Sequence, residues 1–260
     1  MAISGTRVCQ LQSYDCTPLN ATYVGLHAAV TLVVTYAKTA ATTSFLGSAL
    51  ASNNQLKVTV TGTVALGDIL QDAVSDELVL VTSISSAPTY AVTRGYRGTV
   101  RETHLTGATW NLVGQTVAIS LLRTEMARCP QPVEIKGGMA GQTTLTGDVT
   151  VWGTNINGLP ISDTIALNSA ATVPGVKAFK TVATMDVPCA VTAADTVSLG
   201  VTKAVGLPWK VTDSRLIIKE FDGSVDAGSV TYDAGDVAKC IYTAAGTPTG
   251  TKKLALFIIV

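Results

Sequence analysis

Short runs of alternating apolar and polar residues, separated by Gly, Pro, Asn and Asp, recur along most of the chain. Residues 56–62 (LKVTVTG) alternate with period two, which buries one face of a strand and leaves the other wet. Val79 to Ser86 and Tyr90 to Thr93, joined through Pro88, predict a hairpin. The glycines that follow, in Arg94-Gly95-Tyr96-Arg97-Gly98-Thr99, let the chain bend where a side chain would clash. A further strand is expected around Val30 to Tyr36, and residues 37–54 read as a loop or a short helix. From Val133 onward the pattern is strand and turn throughout. The predicted strands there are Thr144–Thr154, Ile161–Leu167, Lys177–Val187, Thr196–Val201, Leu216–Phe221, Val230–Tyr232, Cys240–Thr243 and Leu254–Val260. Residues 111–128 fit two readings: Val113, Val117 and Leu121 share a helical face, while VAISLL also reads as a strand.

These elements predict a mainly β protein with at most one or two short helices. The prolines of Cys129-Pro130-Gln131-Pro132 withhold backbone donors, so the domain boundary is placed there. The chain then divides into an N-terminal arm (1–22), a β-rich N-terminal domain (23–128), a linker (129–142) and a C-terminal antiparallel β-sandwich domain (143–260). Within the linker, Gly137-Gly138-Met139-Ala140-Gly141 has no following Lys-Ser/Thr and opens no clear helix, so a hinge is expected rather than a phosphate loop. The final run, LALFIIV, is apolar enough to require pairing inside a sheet or against another subunit.

Composition adds a view of the surface. Only 14% of the 260 residues are charged and 5% are aromatic, so many strands with small packed side chains are expected. A monomer of this composition exposes weakly polar area that partner subunits would cover, which points to a homo-oligomer. Zero net charge disfavours nucleic acid as a partner. The window Val24 to Ala37 is too short to cross a bilayer as a helix, so no membrane partner is expected. The N-terminus lacks the basic and apolar regions of a secretory signal, consistent with assembly in a cytoplasm. Five cysteines without a CxxC pair and two histidines favour buried thiols over a disulfide framework or a zinc site, with a Cys9–Cys16 bridge as the alternative to check.

Chemistry-bearing residues are sparse. Ser4 and Ser224 lack the surroundings of a nucleophile elbow. Asp72, Asp76 and Glu77 could hold a cation or act as acid and base, but with no nearby fourth ligand the expected role is a solvated loop edge. The carboxylates of Asp222 to Asp226 and Asp233 to Asp236 are read as turns. His104 is expected to fix a loop by hydrogen bonds. Arg94, Arg97 and Arg101 are expected to pair with Glu102, with Asp68 or with a neighbouring subunit. Trp110, Trp152 and Trp209, spread along the chain, read as core anchors rather than a carbohydrate platform. No catalytic residue, cofactor site or metal site is assigned.

Two stretches resemble known virion proteins. Gly67-Asp68, Glu77 to Val81, Val92-Thr93-Arg94-Gly95-Tyr96-Arg97-Gly98-Thr99, His104 and Gly107-Ala108 resemble a module of tailed-bacteriophage structural proteins, with the pattern G-D, E-x-hydrophobic-x-V, V-x-R-G-x-x-G-T and H-x-x-G-A. Trp152-Gly153-Thr154-Asn155, Ile161 to Ile165, Gly175 to Val182, Val197 to Gly200 and Gly206-Leu207-Pro208 are similar to the β-sandwich domains of head-decoration and other accessory virion proteins. There the turn before the second run is Gly-Asn, whereas here it is Asn157-Gly158-Leu159-Pro160. The resemblance implies a non-enzymatic virion protein, assembled in the host cytoplasm, that decorates or cements the capsid by bridging major capsid protein subunits. The alternatives are a tail, neck or baseplate component, or a carbohydrate-binding module of the virion surface. The expected subunit contacts are Arg94, Tyr96, Arg97, His104, Leu254, Phe257 and Val260.

Overall fold

Runs rich in Val, Thr and Ile form strands wherever they alternate, and the breakers between them form turns. The computed structural model describes residues 11–15, 25–31, 41–45, 56–60, 64–86, 89–102, 104, 108–119, 126, 129–138, 146–189, 195–247 and 252–259. Strands dominate the described residues, with no helix of seven residues or more among them, so the chain is mainly β. In the first half these are β1 (Leu11–Asp15), β2 (Gly25–Thr31), β3 (Ala41–Phe45), β4 (Leu56–Val60), β5 (Asp68–Asp72), β6 (Leu78–Ser86), β7 (Thr89–Arg94) and β8 (Ala108–Ala118). There follow β9 (Gln131–Gly138), β10 (Asp148–Thr154), β11 (Pro160–Ala166), β12 (Thr172–Phe179), β13 (Thr181–Pro188) and β14 (Thr196–Val201). The last are β15 (Val205–Gly206), β16 (Ile217–Phe221), β17 (Ser224–Val225), β18 (Ser229–Thr231), β19 (Ile241–Thr243) and β20 (Leu254–Ile259).

β8 organises the largest sheet. Along one edge it pairs with β3 and then β13, and along the other with β5. Strands β8, β3, β4, β7, β6 and β5 therefore close into a ring, whose interior holds Leu70, Val79, Val81, Tyr90, Val92, Trp110 and Leu112. Beyond β13 the same sheet continues into β10 and β11. A second sheet, β12-β9-β14-β2, shares a core with that extension. Val133 and Ile135 of β9 join Val149 and Val151 of β10, Met185 and Val187 of β13, and Val197 and Leu199 of β14. Two smaller sheets, β1-β20-β16-β17 and β15-β19-β18, enclose a third core around Leu207, Tyr242, Leu254 and Leu256.

Several expectations are refined. Residues 131–138, read as part of a linker, form β9, which is hydrogen-bonded to β12 and β14 on its two edges. Pro132 fits there because its carbonyl serves the pairing without the N–H that proline lacks, accepting from Thr202 N at 2.9 Å. The expected hinge at Gly137-Gly138 is the end of this strand, and 139–145 lie outside the described residues. The run Lys177–Val187 is two strands, turning at Lys180. The 111–128 ambiguity resolves to a strand through Ala118. The predicted strand at 30–36 begins earlier, at Gly25, and is described through Thr31, while 32–36 lie outside the described residues. β1 lies within the predicted arm yet pairs with β20, and β2 pairs with β14, so N- and C-terminal segments are interleaved. Cys9 and Cys16 lie outside the described residues, while Cys129 and Cys240 are buried and Cys189 is half-buried.

Gly153 marks the tightest packing. The β10–β13 register shifts between Trp152 and Gly153, and a Cβ built on Gly153 would lie 1.9 Å from Thr181 O and 2.9 Å from Phe179 Cδ1. Backbone, unlike a flexible side-chain tip, cannot move aside cheaply. Gly153→Ala is expected to lower stability by about 3 kcal/mol or more, read from urea unfolding.

Candidate functional site

The loop after β7 is where the described polar residues concentrate. Its backbone is shaped by left-handed residues: Gly95 (φ 62), Arg97 (φ 54) and Gly98 (φ 79) flank and build the short 3₁₀ turn Tyr96–Gly98. A non-glycine side chain in that region is uncommon and needs outside support. The support comes from two buried carboxylates on opposite sides of the loop.

Glu77 is fully buried immediately before β6. It receives five donors: Arg94 through Nε (2.5 Å) and Nη2, the backbone N–H groups of Gly95 (3.1 Å) and Glu102 (3.0 Å), and His104, whose Nε2 lies 2.7 Å from Oε2. Arg94 Nη2 also donates to the Glu102 carbonyl. Asp72, at the end of β5, accepts from Val74 N (3.1 Å), Ser75 N (2.7 Å) and the Ser75 hydroxyl (2.8 Å), and its Oδ1 lies 3.5 Å from His104 Nδ1. The His104 ring rests on Trp110 with centroids 4.8 Å apart. Asp72 and Glu77 are thus inward struts, not the solvated loop edge expected, because their negative charge is what holds the loop's donors in place. Asp76 alone is exposed and accepts from Gln71 Nε2.

Asp186 of β13 braces the other side. It has no solvent exposure and accepts from the Tyr96 hydroxyl (2.9 Å), Thr116 Oγ1 (2.6 Å), Trp152 Nε1 (2.9 Å) and Arg97 Nε (3.1 Å). These donors come from the loop, β8 and β10, so one carboxylate joins the ring of strands to the sandwich. Burial, with Asp186 beside it, holds the Tyr96 phenol above its ordinary pKa, which keeps it a donor.

The predicted contact residues therefore separate. Arg94 and His104 face inward onto Glu77, and Arg94 also meets the Glu102 carbonyl. Leu254 is core. Tyr96 and Phe257 are half-buried, Arg97 is exposed, and Val260 lies outside the described residues. Asp186 has no counterpart in the sequence reading. Its only signal was an acid inside the apolar run Val182-Ala183-Thr184-Met185-Asp186-Val187.

The acidic turns near the C-terminus are spent on backbone. Asp222 (φ 55) and Gly223 (φ 78) make the tight turn between β16 and β17. Asp226 accepts from the Tyr242 hydroxyl, Gly228 N (3.1 Å) and Ala245 N (3.1 Å). Asp233 accepts from Gly235 N and Asp236 N, and Asp236 caps Ala238 N. Among the described residues no group of three His, Cys, Asp or Glu side chains could hold a metal ion.

These carboxylates set an acid dependence. Burial would raise the pKa of Glu77, Asp72 and Asp226, but the hydrogen-bond donors around each more than offset it and hold all three below their ordinary values. A carboxylate with a lowered folded pKa binds fewer protons folded than unfolded, so its stabilisation is present above the unfolded pKa. It is lost as pH falls through the ordinary values of 4.5 for glutamate and 3.8 for aspartate toward the folded ones. The urea midpoint is expected to hold from neutrality down to about pH 5 and to fall steadily below it.

No helix among the described residues is long and apolar enough to cross a membrane. The chain matches no known family model, no curated protein and no solved structure.

Proposed function

We propose that the chain is a non-enzymatic structural protein of a tailed-bacteriophage virion, a capsid decoration or cement protein that bridges neighbouring major capsid subunits. The observation that carries this reading is the fate of the virion-like pattern from Gly67 to Ala108. Its polar members Glu77, Arg94 and His104 spend their donors and acceptors on one another and on the loop backbone, bracing a shape rather than facing a substrate. A braced loop presents a contact surface without the ordering cost that a floppy one incurs on docking.

The surface around it fits docking. Val74 and Val100 are 90% and 71% exposed on the two loops that Asp72 and Glu77 tie down, with exposed Asp76 near the first and Arg97, Arg101 and Glu102 near the second. Each copy need bind only modestly. Contacts that span capsomers favour the assembled lattice, and many copies multiply the effect against internal pressure.

Deletion of the gene tests this. Particles without the protein are expected to release DNA at lower temperature, with resistance restored by adding the purified protein. Unchanged particle stability and no rebinding would reject the reading.

A further inference from the structure

Beside the braced loop lies a cavity of about 230 Å³. Its walls are aliphatic, from Ile69, Leu78, Val113, Val187 and Pro188, and two opposite charges, Arg97 and Asp148, stand on its lining. Arg97 bonds to Asp186 through Nε only, at 3.1 Å, so its two terminal nitrogens have no partner among the described residues. The Asp186 charge is shared with the Tyr96 and Thr116 hydroxyls and the Trp152 indole, so this one bond does not exhaust the guanidinium. Asp148 is exposed, lines the same cavity and is not paired with Arg97.

We propose that this cavity is the socket for a partner subunit, taking one aliphatic side chain flanked by a carboxylate for Arg97 and a hydrogen-bond donor or cation for Asp148. Size decides the class of occupant: small-molecule pockets run from about 300 to 1,000 Å³, and this one is smaller, on the scale of a side-chain knob. Chemistry decides the flanks. The free edge of a guanidinium offers paired donors that match a carboxylate, and Asp148, without a cationic partner among the described residues, excludes a wholly acidic segment. Arg97 keeps its left-handed backbone (φ 54, ψ 24) while its side chain lines the cavity, an outlier of the kind that the surrounding structure must hold in place. That the occupant belongs to a protein subunit rests on the docking function proposed above.

The test uses the full chain and acetyl-Glu-Leu-Lys-amide as probe, followed by amide NMR shifts. Shifts are expected at Leu78, Val113, Gly147 and Asp148, with a millimolar dissociation constant. Acetyl-Lys-Leu-Lys-amide is expected to bind about tenfold more weakly, as is the first peptide to Arg97→Gln. Arg97→Gln leaves Asp186 three other donors. Should it loosen the fold, Asp148→Lys, on an exposed residue, carries the same comparison. Absence of shifts at these residues up to ~10 mM peptide, or equal binding by both peptides, overturns the socket. Particle content is measured in parallel. Protein present in purified particles with a silent cavity rejects the socket and leaves the docking function standing, whereas a working cavity in a protein absent from particles supports the socket and rejects that function.

Discussion

Glu77→Ala is expected to destabilise the fold by about 3–5 kcal/mol, because it strands a buried cation. The Arg94 side chain is 5% exposed, and its guanidinium would lose both bonds to the carboxylate while remaining in place. The Gly95 and Glu102 amides and His104 would lose their acceptor in the same step. Glu77→Gln keeps the shape and some hydrogen bonds but not the charge, so it is expected to fall between wild type and alanine. Urea unfolding gives the size of the effect, and limited proteolysis after Arg97 or Arg101 reports the loop itself. A loss under about 1 kcal/mol with unchanged cleavage would show that the loop does not depend on this strut.

Asp186→Ala is expected to cost about 3 kcal/mol and to separate two parts of the molecule. Four donors converge on this carboxylate, and a buried donor left without an acceptor costs about 1–3 kcal/mol each. Tyr96, Thr116 and Arg97 are not fully buried and regain some water, which brings the sum below four full penalties. Trp152 supplies a direct readout, since its indole N–H bonds to Asp186 and its emission is expected to shift when that bond is lost. Because Glu77 and Asp186 brace the same loop from two sides, the double variant is expected to cost less than the sum of the singles. Unchanged emission with strictly additive losses would contradict the two-sided brace.

Much of the fold is legible because strands announce themselves locally. The hairpin at Leu78–Arg94 and the strand Thr196–Val201 follow from β-branched alternation between breakers. The Asp222-Gly223 turn follows from residues that tolerate positive φ. Reading fails where two patterns coincide. Val113 and Val117 fit a helical face and a strand equally, and only the ladders to β5 and β13 decide between them. Prolines at 130 and 132 look like breakers, yet Pro132 sits where β9 needs its carbonyl. Lys177–Val187 contains no Gly or Pro, so nothing local marks the reversal at Lys180.

The site was harder to read because its partners are distant in sequence. Arg94 finds the Glu77 carboxylate across the β6–β7 hairpin, 17 residues away, and meets nearby Glu102 at its backbone carbonyl. Tyr96 finds Asp186 across 90 residues, a pairing that only the β8–β13 ladder creates. His104 fixes the loop, as its place beside the glycine-rich run suggests, but the acids it holds, Asp72 and Glu77, are buried rather than on a solvated edge. A carboxylate's burial depends on where its donors lie in space, and spacing along the chain does not carry that information.

Whether this protein is a structural part of a virion is decided by counting it in purified particles with isotope-labelled peptide standards. A constant ratio to the major capsid protein that matches the capsid lattice is expected. A ratio matching a tail or neck ring would move the protein off the head, and its absence from particles would rule out a virion role.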